Sequence, residues 1–220
     1  GGITIDGVFS TSRMLTSTSS STLTLNNVNI KNFYNANTAF GGNPARGGAI
    51  DFAGTALTIT GGSFEGNKSN QGGAIAITTN GQASVTISGG TVFQSNAALP
   101  VGHYYSGYTG PEGVFEDYYR AKTGGYGAAI YISSNTEANV HISGAQMISN
   151  VASTGQYVDP ADHENVYTYD GRGGAIYSKN ASTYLLLDND TTLGGNSQPD
   201  GNLAAQGGAI FTKGSTTLNA

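Results

Sequence analysis

The chain has 220 residues, a net charge of −5, 34 glycines and no cysteine, with 37% hydrophobic and only 10% charged residues. Nine Lys and Arg scattered along an acidic chain argue against nucleic acid as a partner, because a phosphate-binding face needs such residues clustered. The missing cysteines exclude a disulfide scaffold or a cysteine-based zinc site, and no apolar run approaches the roughly 20 residues a helix needs to cross a bilayer.

From the start of the chain, Ile3-Thr4-Ile5 is the first of several short alternating apolar triplets, and others begin at 23, 57, 85, 140, 185 and 216. Alternation over so few residues, in a chain this rich in Gly, Ser, Thr and Asn, signals strand and disfavours helix. Gly-Gly-Ala-Ile first stands at 47–50 and returns at 72–75, 173–176 and 207–210, with Gly127-Ala128-Ala129-Ile130 as a one-residue variant. Between these lies a second motif: Phe64-Glu65-Gly66-Asn67, Phe93-Gln94-Ser95-Asn96, Met147-Ile148-Ser149-Asn150 and Leu193-Gly194-Gly195-Asn196. The closest spacings are 25 residues from Ile50 to Ile75, 28 from Leu57 to Val85 and 29 from Phe64 to Phe93.

A unit of three short strands cannot bury its own apolar face, so it must stack on its neighbours. The expected fold is all-β: a right-handed parallel β-helix (β-solenoid) of about six coils, each of roughly 27 residues, forming one segment over 1–220. Tandem glycines are expected at a sharp corner, where a positive φ suits them. Ile50, Ile75, Ile130, Ile176 and Ile210 are expected to form one inward column, and Phe64, Phe93, Met147 and Leu193 another. Asn67, Asn96, Asn150 and Asn196 then fall in register as an amide ladder.

Function is expected where the unit is interrupted. Only four residues separate Asn67 from Gly72, but 30 separate Asn96 from Gly127 and 22 separate Asn150 from Gly173. Insertions at 35–46, 97–126, 151–172 and 197–206 are expected to leave one edge of the solenoid, with 97–126 beside 151–172. All five prolines lie in this series, and nine of the 13 tyrosines and seven of the 14 carboxylates lie in the two longest insertions. Tyr104, Tyr105, Tyr108, Tyr118, Tyr119, Tyr157, Tyr167 and Tyr169 are the candidate binding residues, because tyrosine offers a large amphipathic face with little rotamer entropy to lose. The competing reading is that these tyrosines pack the two loops on each other.

Other features are weaker. Alternation sends Tyr131, Tyr177 and Phe211 outward as an exposed aromatic stripe, suited to a sugar ring or to plain cross-coil packing. The run Asp159-Pro160-Ala161-Asp162-His163-Glu164 lacks the glycine and regular alternation of a dedicated calcium loop, so no metal or cofactor is assigned. The outward column Thr24, Thr58, Thr86 continues as His141 and Leu186, which ends a threonine array of the ice-binding kind. Asp188 and Asp190 lie beside Ser143 and Ser88 rather than other acids, so the paired carboxylates of a polysaccharide lyase or glycoside hydrolase, the alternative activity on this fold, are not apparent. No nucleophile motif surrounds His103, His141 or His163.

The paired GGAI and FxxN motifs resemble those of the chlamydial polymorphic membrane proteins and related autotransporter-type bacterial surface proteins. Ile3-Thr4-Ile5-Asp6-Gly7 followed by Ser12-Arg13-Met14-Leu15 resembles the first coils of such β-helices. The variant Gly127-Ala128-Ala129 and the Met and Leu in place of Phe depart from the pattern while keeping side-chain volume. The resemblance implies a non-enzymatic adhesin passenger, exposed at the bacterial outer membrane or secreted, that binds a host cell-surface protein, a glycan or another bacterial cell. The sequence from Gly1-Gly2-Ile3 to Asn219-Ala220 reads as a segment of a longer passenger, whose barrel lies elsewhere and whose open ends invite self-association.

Overall fold

The structure, a computed structural model, describes residues 2–8, 10–36, 43–109, 115–123, 125–153, 156–159, 162–168, 170–195 and 200–219; within 102–123 and 156–168 it describes the backbone alone. The chain winds as a parallel β-helix, with strands of successive coils stacked into four parallel sheets.

The first sheet holds the GGAI strands: Leu15–Thr16, Ile50–Phe52, Ile75–Ile77, Ile130–Ile132, Ile176–Ser178 and Ile210–Thr212. The second holds the triplets, from Thr22–Asn26 through Ala56–Thr60, Ala83–Ser88, Ala138–Ser143 and Thr183–Asp188 to Ser215–Leu218. The third contains Ile3–Asp6, Val28–Lys31, Ser63–Glu65, Val92–Gln94, Gln146–Ile148 and Thr192–Leu193. The fourth is a narrow sheet of five two-residue strands: Tyr34–Asn35, Lys68–Ser69, Ala97–Ala98, Val151–Ala152 and Leu203–Ala204.

Each coil therefore has four strands rather than three, and the five strands of the fourth sheet mark five complete circuits. The triplet at Ile3 does not join the other triplets. It lies in the third sheet, with Ile5 opposite Ile30.

The expected columns form in register. Ile50, Ile75, Ile130, Ile176 and Ile210 stack in sequence, and Leu15 extends the column below Ile50. Ile30 stacks under Phe64, Phe93, Met147 and Leu193, and the Phe64 and Phe93 rings lie parallel with centroids 5.0 Å apart. Both columns face one apolar core, which Leu57, Val85, Val140 and Leu185 close from the second sheet. Each large side chain so buried contributes roughly 1.5–3 kcal/mol.

The two glycines of GGAI have different duties. The first is a positive-φ corner, at 60° in Gly47, 69° in Gly72 and 64° in Gly173. The second is a close approach: a Cβ on Gly48 would lie 2.0 Å from the Gly73 carbonyl oxygen, and one on Gly174 would lie 2.0 Å from that of Gly208. Ala49, Ala74, Ala129 and Ala175 point into the core beside the isoleucines.

Between the third and fourth sheets an amide ladder runs up the solenoid. Asn96 Oδ1 accepts from the backbone N–H of Asn67 at 3.0 Å and from its Nδ2 at 3.1 Å, while Asn96 Nδ2 donates to Phe64 O at 2.9 Å and to Asn150 Oδ1 at 3.0 Å. The next rung is Asn202, whose Oδ1 accepts from the Asn150 N–H at 3.1 Å and Nδ2 at 2.9 Å. Asn202 thus takes the place expected for Asn196, which lies outside the described residues. Below Asn67 the ladder ends on Phe33, whose N–H donates to Asn67 Oδ1 at 3.1 Å.

Candidate functional site

The fourth sheet is where the chain leaves the solenoid. Its minimal corner is a single residue: Lys68–Ser69 is followed by Asn70 and then by Gln71, which pairs with Arg46 and Tyr126. Ala97–Ala98 pairs with Lys68–Ser69, yet the chain takes until Tyr126 to regain that position. Val151–Ala152 sits one coil further on, and the chain rejoins at Arg172. Leu203–Ala204 needs only Ala205 before Gln206. The last coil's extra residues therefore precede Asn202, at the corner between the third and fourth sheets, and the expectation that 197–206 shares the edge of the other insertions is corrected.

The two long insertions contain antiparallel hairpins. Val101–Thr109 pairs with Phe115–Thr123, placing Tyr104 opposite Tyr119, Tyr105 opposite Tyr118 and Tyr108 opposite Glu116. Gln156–Asp159 pairs with Asp162–Thr168, with Tyr157 opposite Tyr167 and Asp159 opposite Asp162. Asp159 and Asp162 of the acidic run are thus the last paired residues of the second hairpin, and Pro160 and Ala161 lie outside the described residues. Tyr169 lies outside the described residues.

The bases of the hairpins are joined to each other. Ser153 Oγ donates to Ala98 O at 2.8 Å and accepts from Gly125 N at 2.9 Å, and Arg172 N donates to Gly125 O at 3.1 Å. Both hairpins return through a glycine for a steric reason. A Cβ on Gly125 would lie 2.0 Å from Ala98 O, and one on Gly171 would lie 2.3 Å from Ala152 O.

Beside this corner, the outward face of the first sheet carries Asp51, Ala76, Tyr131, Tyr177 and Phe211 in register. The aromatic stripe is not exposed: Tyr131 and Tyr177 keep only 2% and 4% of their surface. The rings of Tyr131 and Tyr177 stack at 5.6 Å, Tyr177 stacks on Phe211 at 5.4 Å, and Tyr126 lies over Tyr177 at 4.9 Å. The Arg172 guanidinium stands 5.1 Å from the Phe211 ring centroid and pairs with Asp170, which also accepts the Tyr126 hydroxyl at 3.0 Å. Burial first, and the Asp170 charge second, push the Tyr126 phenol well above its ordinary pKa. Burial likewise raises Tyr131 and Tyr177. The stripe is a packed ladder that fastens the second hairpin's return to the solenoid, so its faces are closed to a sugar ring.

The scaffold acids described so far hold other groups. Asp51 accepts from Arg13 and from Thr78 Oγ1. Asp188 lies 2.9 Å from His141 Nε2, and that hydrogen bond, with a second from Ser143, lowers its carboxyl pKa. Ser143 and His141 both address the same carboxylate, whereas a nucleophile relay needs the serine on the histidine's far side. A polar cleft of about 530 Å³ lies between Arg13, Asn35, Asn43, Pro44, Arg46 and Asp51.

Comparison of the chain with family profiles, curated proteins and solved structures returns no match.

Proposed function

We propose that this chain is a non-enzymatic binding segment, a solenoid that presents two tyrosine-rich hairpins to a host cell-surface protein or glycan, or to another bacterial cell. The observation that carries the reading is the departure of both hairpins from strands paired in register, Ala97–Ala98 on Val151–Ala152, with Ser153 and Gly125 bonded between their bases. A rigid frame that fixes two neighbouring excursions lowers the ordering cost of binding. In the same reading the segment belongs to an adhesin passenger at the bacterial cell surface, of the autotransporter type that its repeats resemble. The pairing of Asp51 with Arg13 and of Asp188 with His141 favours this reading over polysaccharide cleavage.

The minimal corner defines the experiment. Replacing 99–125 and 153–171 by one alanine each reproduces the Leu203–Ala204, Ala205, Gln206 connection and keeps every solenoid strand. Binding to host cells or a glycan array falls to background in the double-trimmed chain if the hairpins are the recognition surface. Undiminished binding by a trimmed chain with an intact β-sheet spectrum refutes the proposal.

A further inference from the structure

The cleft between Arg13, Asn35, Arg46 and Asp51 lies two coils below the first hairpin, and its chemistry is distinct from that of the tyrosine hairpins. Arg46 lines it, is exposed, and its guanidinium has no hydrogen bond or ion pair among the described residues. Arg13, by contrast, is bound to Asp51, whose other oxygen holds Thr78. The three charged side chains sum to one positive charge, carried on a planar fork of donors that no hydrogen bond or ion pair among the described residues engages, inside a protein of net charge −5. Such a fork matches a carboxylate in two parallel hydrogen bonds.

The rest of the wall selects what the carboxylate is attached to. Asn35 spends its amide N–H groups on the carbonyls of Arg46 and Gly47, which leaves its Oδ1 as an acceptor. The Asp51 oxygens, which accept from Arg13 and Thr78, keep further lone pairs, and among the described residues the apolar lining is Ala36, Pro44 and Ala45. Acceptors in the same lining as a cationic fork suit a ligand rich in hydroxyl donors, and a volume of about 530 Å³ accommodates one sugar ring with room for a neighbour. Asp51 in the same lining opposes a second negative charge, which disfavours phosphate dianions and dicarboxylates.

We infer that this cleft is a binding site for a monocarboxylated sugar, a uronate-type residue of an acidic glycan, with Arg46 as the anchor for its carboxylate. The inference is independent of the hairpins. A chain lacking both still binds the acidic sugar, and a chain altered at Arg46 keeps hairpin-dependent cell binding.

The test is an amide-resolved NMR titration of the full chain with glucuronate, glucose and acetate. Glucuronate shifts resonances of residues 13, 35, 46 and 51 together, while glucose at the same concentration does not. Arg46→Ala, at an exposed position, keeps the unfolding midpoint and weakens glucuronate binding about tenfold to a hundredfold. Arg46→Lys, which keeps the charge and loses the fork, falls between the two. Equal binding by wild type and Arg46→Ala overturns the site, and acetate binding as tightly as glucuronate overturns its assignment to a sugar.

Discussion

Asn96→Ala tests whether the amide ladder holds the coils together. Asn96 is fully buried, and its side chain makes the four hydrogen bonds described above, two to Asn67, one to Phe64 O and one to Asn150 Oδ1. Three of the partners keep some compensation. Asn67 Nδ2 still reaches Ile30 O at 3.0 Å, Asn150 Oδ1 still accepts the residue-96 backbone N–H at 3.2 Å, and a carbonyl such as Phe64 O tolerates one missing donor better than an amide tolerates a missing acceptor. The Asn67 backbone N–H, buried with no other acceptor among the described residues, is orphaned. One orphaned donor at about 1–3 kcal/mol and three lost bonds at about 0.5–1.5 kcal/mol each give a loss of about 3–5 kcal/mol once local relaxation is allowed. Asn202→Ala, at the partly exposed upper rung, loses less. The measurement is urea unfolding followed by far-ultraviolet circular dichroism, with exposed Asn139→Ala as the surface control. A loss at Asn96 within about 1 kcal/mol of the control refutes the ladder's role as a fastening between coils.

Gly173→Ala and Gly90→Ala both force alanine to positive φ, 64° and 74°, but a Cβ at 173 meets Ile176 O at 2.1 Å and one at 90 meets nothing within 4 Å. Equilibrium unfolding therefore shows about 1–2 kcal/mol lost at Gly90 from strain alone and more at Gly173; equal losses remove the steric part of the argument. Because burial raises the phenols of Tyr126, Tyr131 and Tyr177, the unfolded state releases protons first as pH rises through about 10, so stability is flat below that point and falls above it. Tyrosinate absorbance should then develop in two phases, the second coinciding with unfolding; a single phase in the folded chain contradicts the packed ladder. At the outer rungs Ile3 and Leu218 are 67% and 66% exposed on strands whose outer edges are unpaired among the described residues. Sedimentation of the 220-residue chain should accordingly show concentration-dependent association, and a strictly monomeric profile at high concentration counts against edge pairing.

The inward columns are readable because side-chain volume is their main requirement, and four GGAI motifs and one GAAI variant repeat it with Ile50, Ile75, Ile130, Ile176 and Ile210. The fourth sheet is not, since two-residue strands such as Lys68–Ser69 and Val151–Ala152 have no periodicity to detect. Leu193-Gly194-Gly195-Asn196 imitated the FxxN motif because the last insertion falls inside the motif itself. The spacing that decides the matter is the downstream one, with four residues from Asn67 to Gly72 and four from Asn202 to Gly207. Ile3-Thr4-Ile5 reads like the other triplets yet lies in the third sheet, because alternation specifies a buried side and not which sheet supplies it. Among candidate site residues, the sequence located the edge carrying Tyr104 through Tyr167, but it missed the hairpin pairing, the steric role of Gly125 and Gly171, and the guanidinium of Arg46, unengaged among the described residues. An arginine is conspicuous only when its neighbours' partners are known, and those depend on contacts between coils.

The single-residue corner at Asn70 and Ala205 makes the solenoid a vernier. Because coils repeat at roughly 4.8 Å, inserting or deleting one whole circuit would translate a hairpin by that fixed step along the axis while leaving its root chemistry intact. The distance between two contact points on a partner can then be tuned in quanta, by gain or loss of a repeat, without any residue of either hairpin having to change.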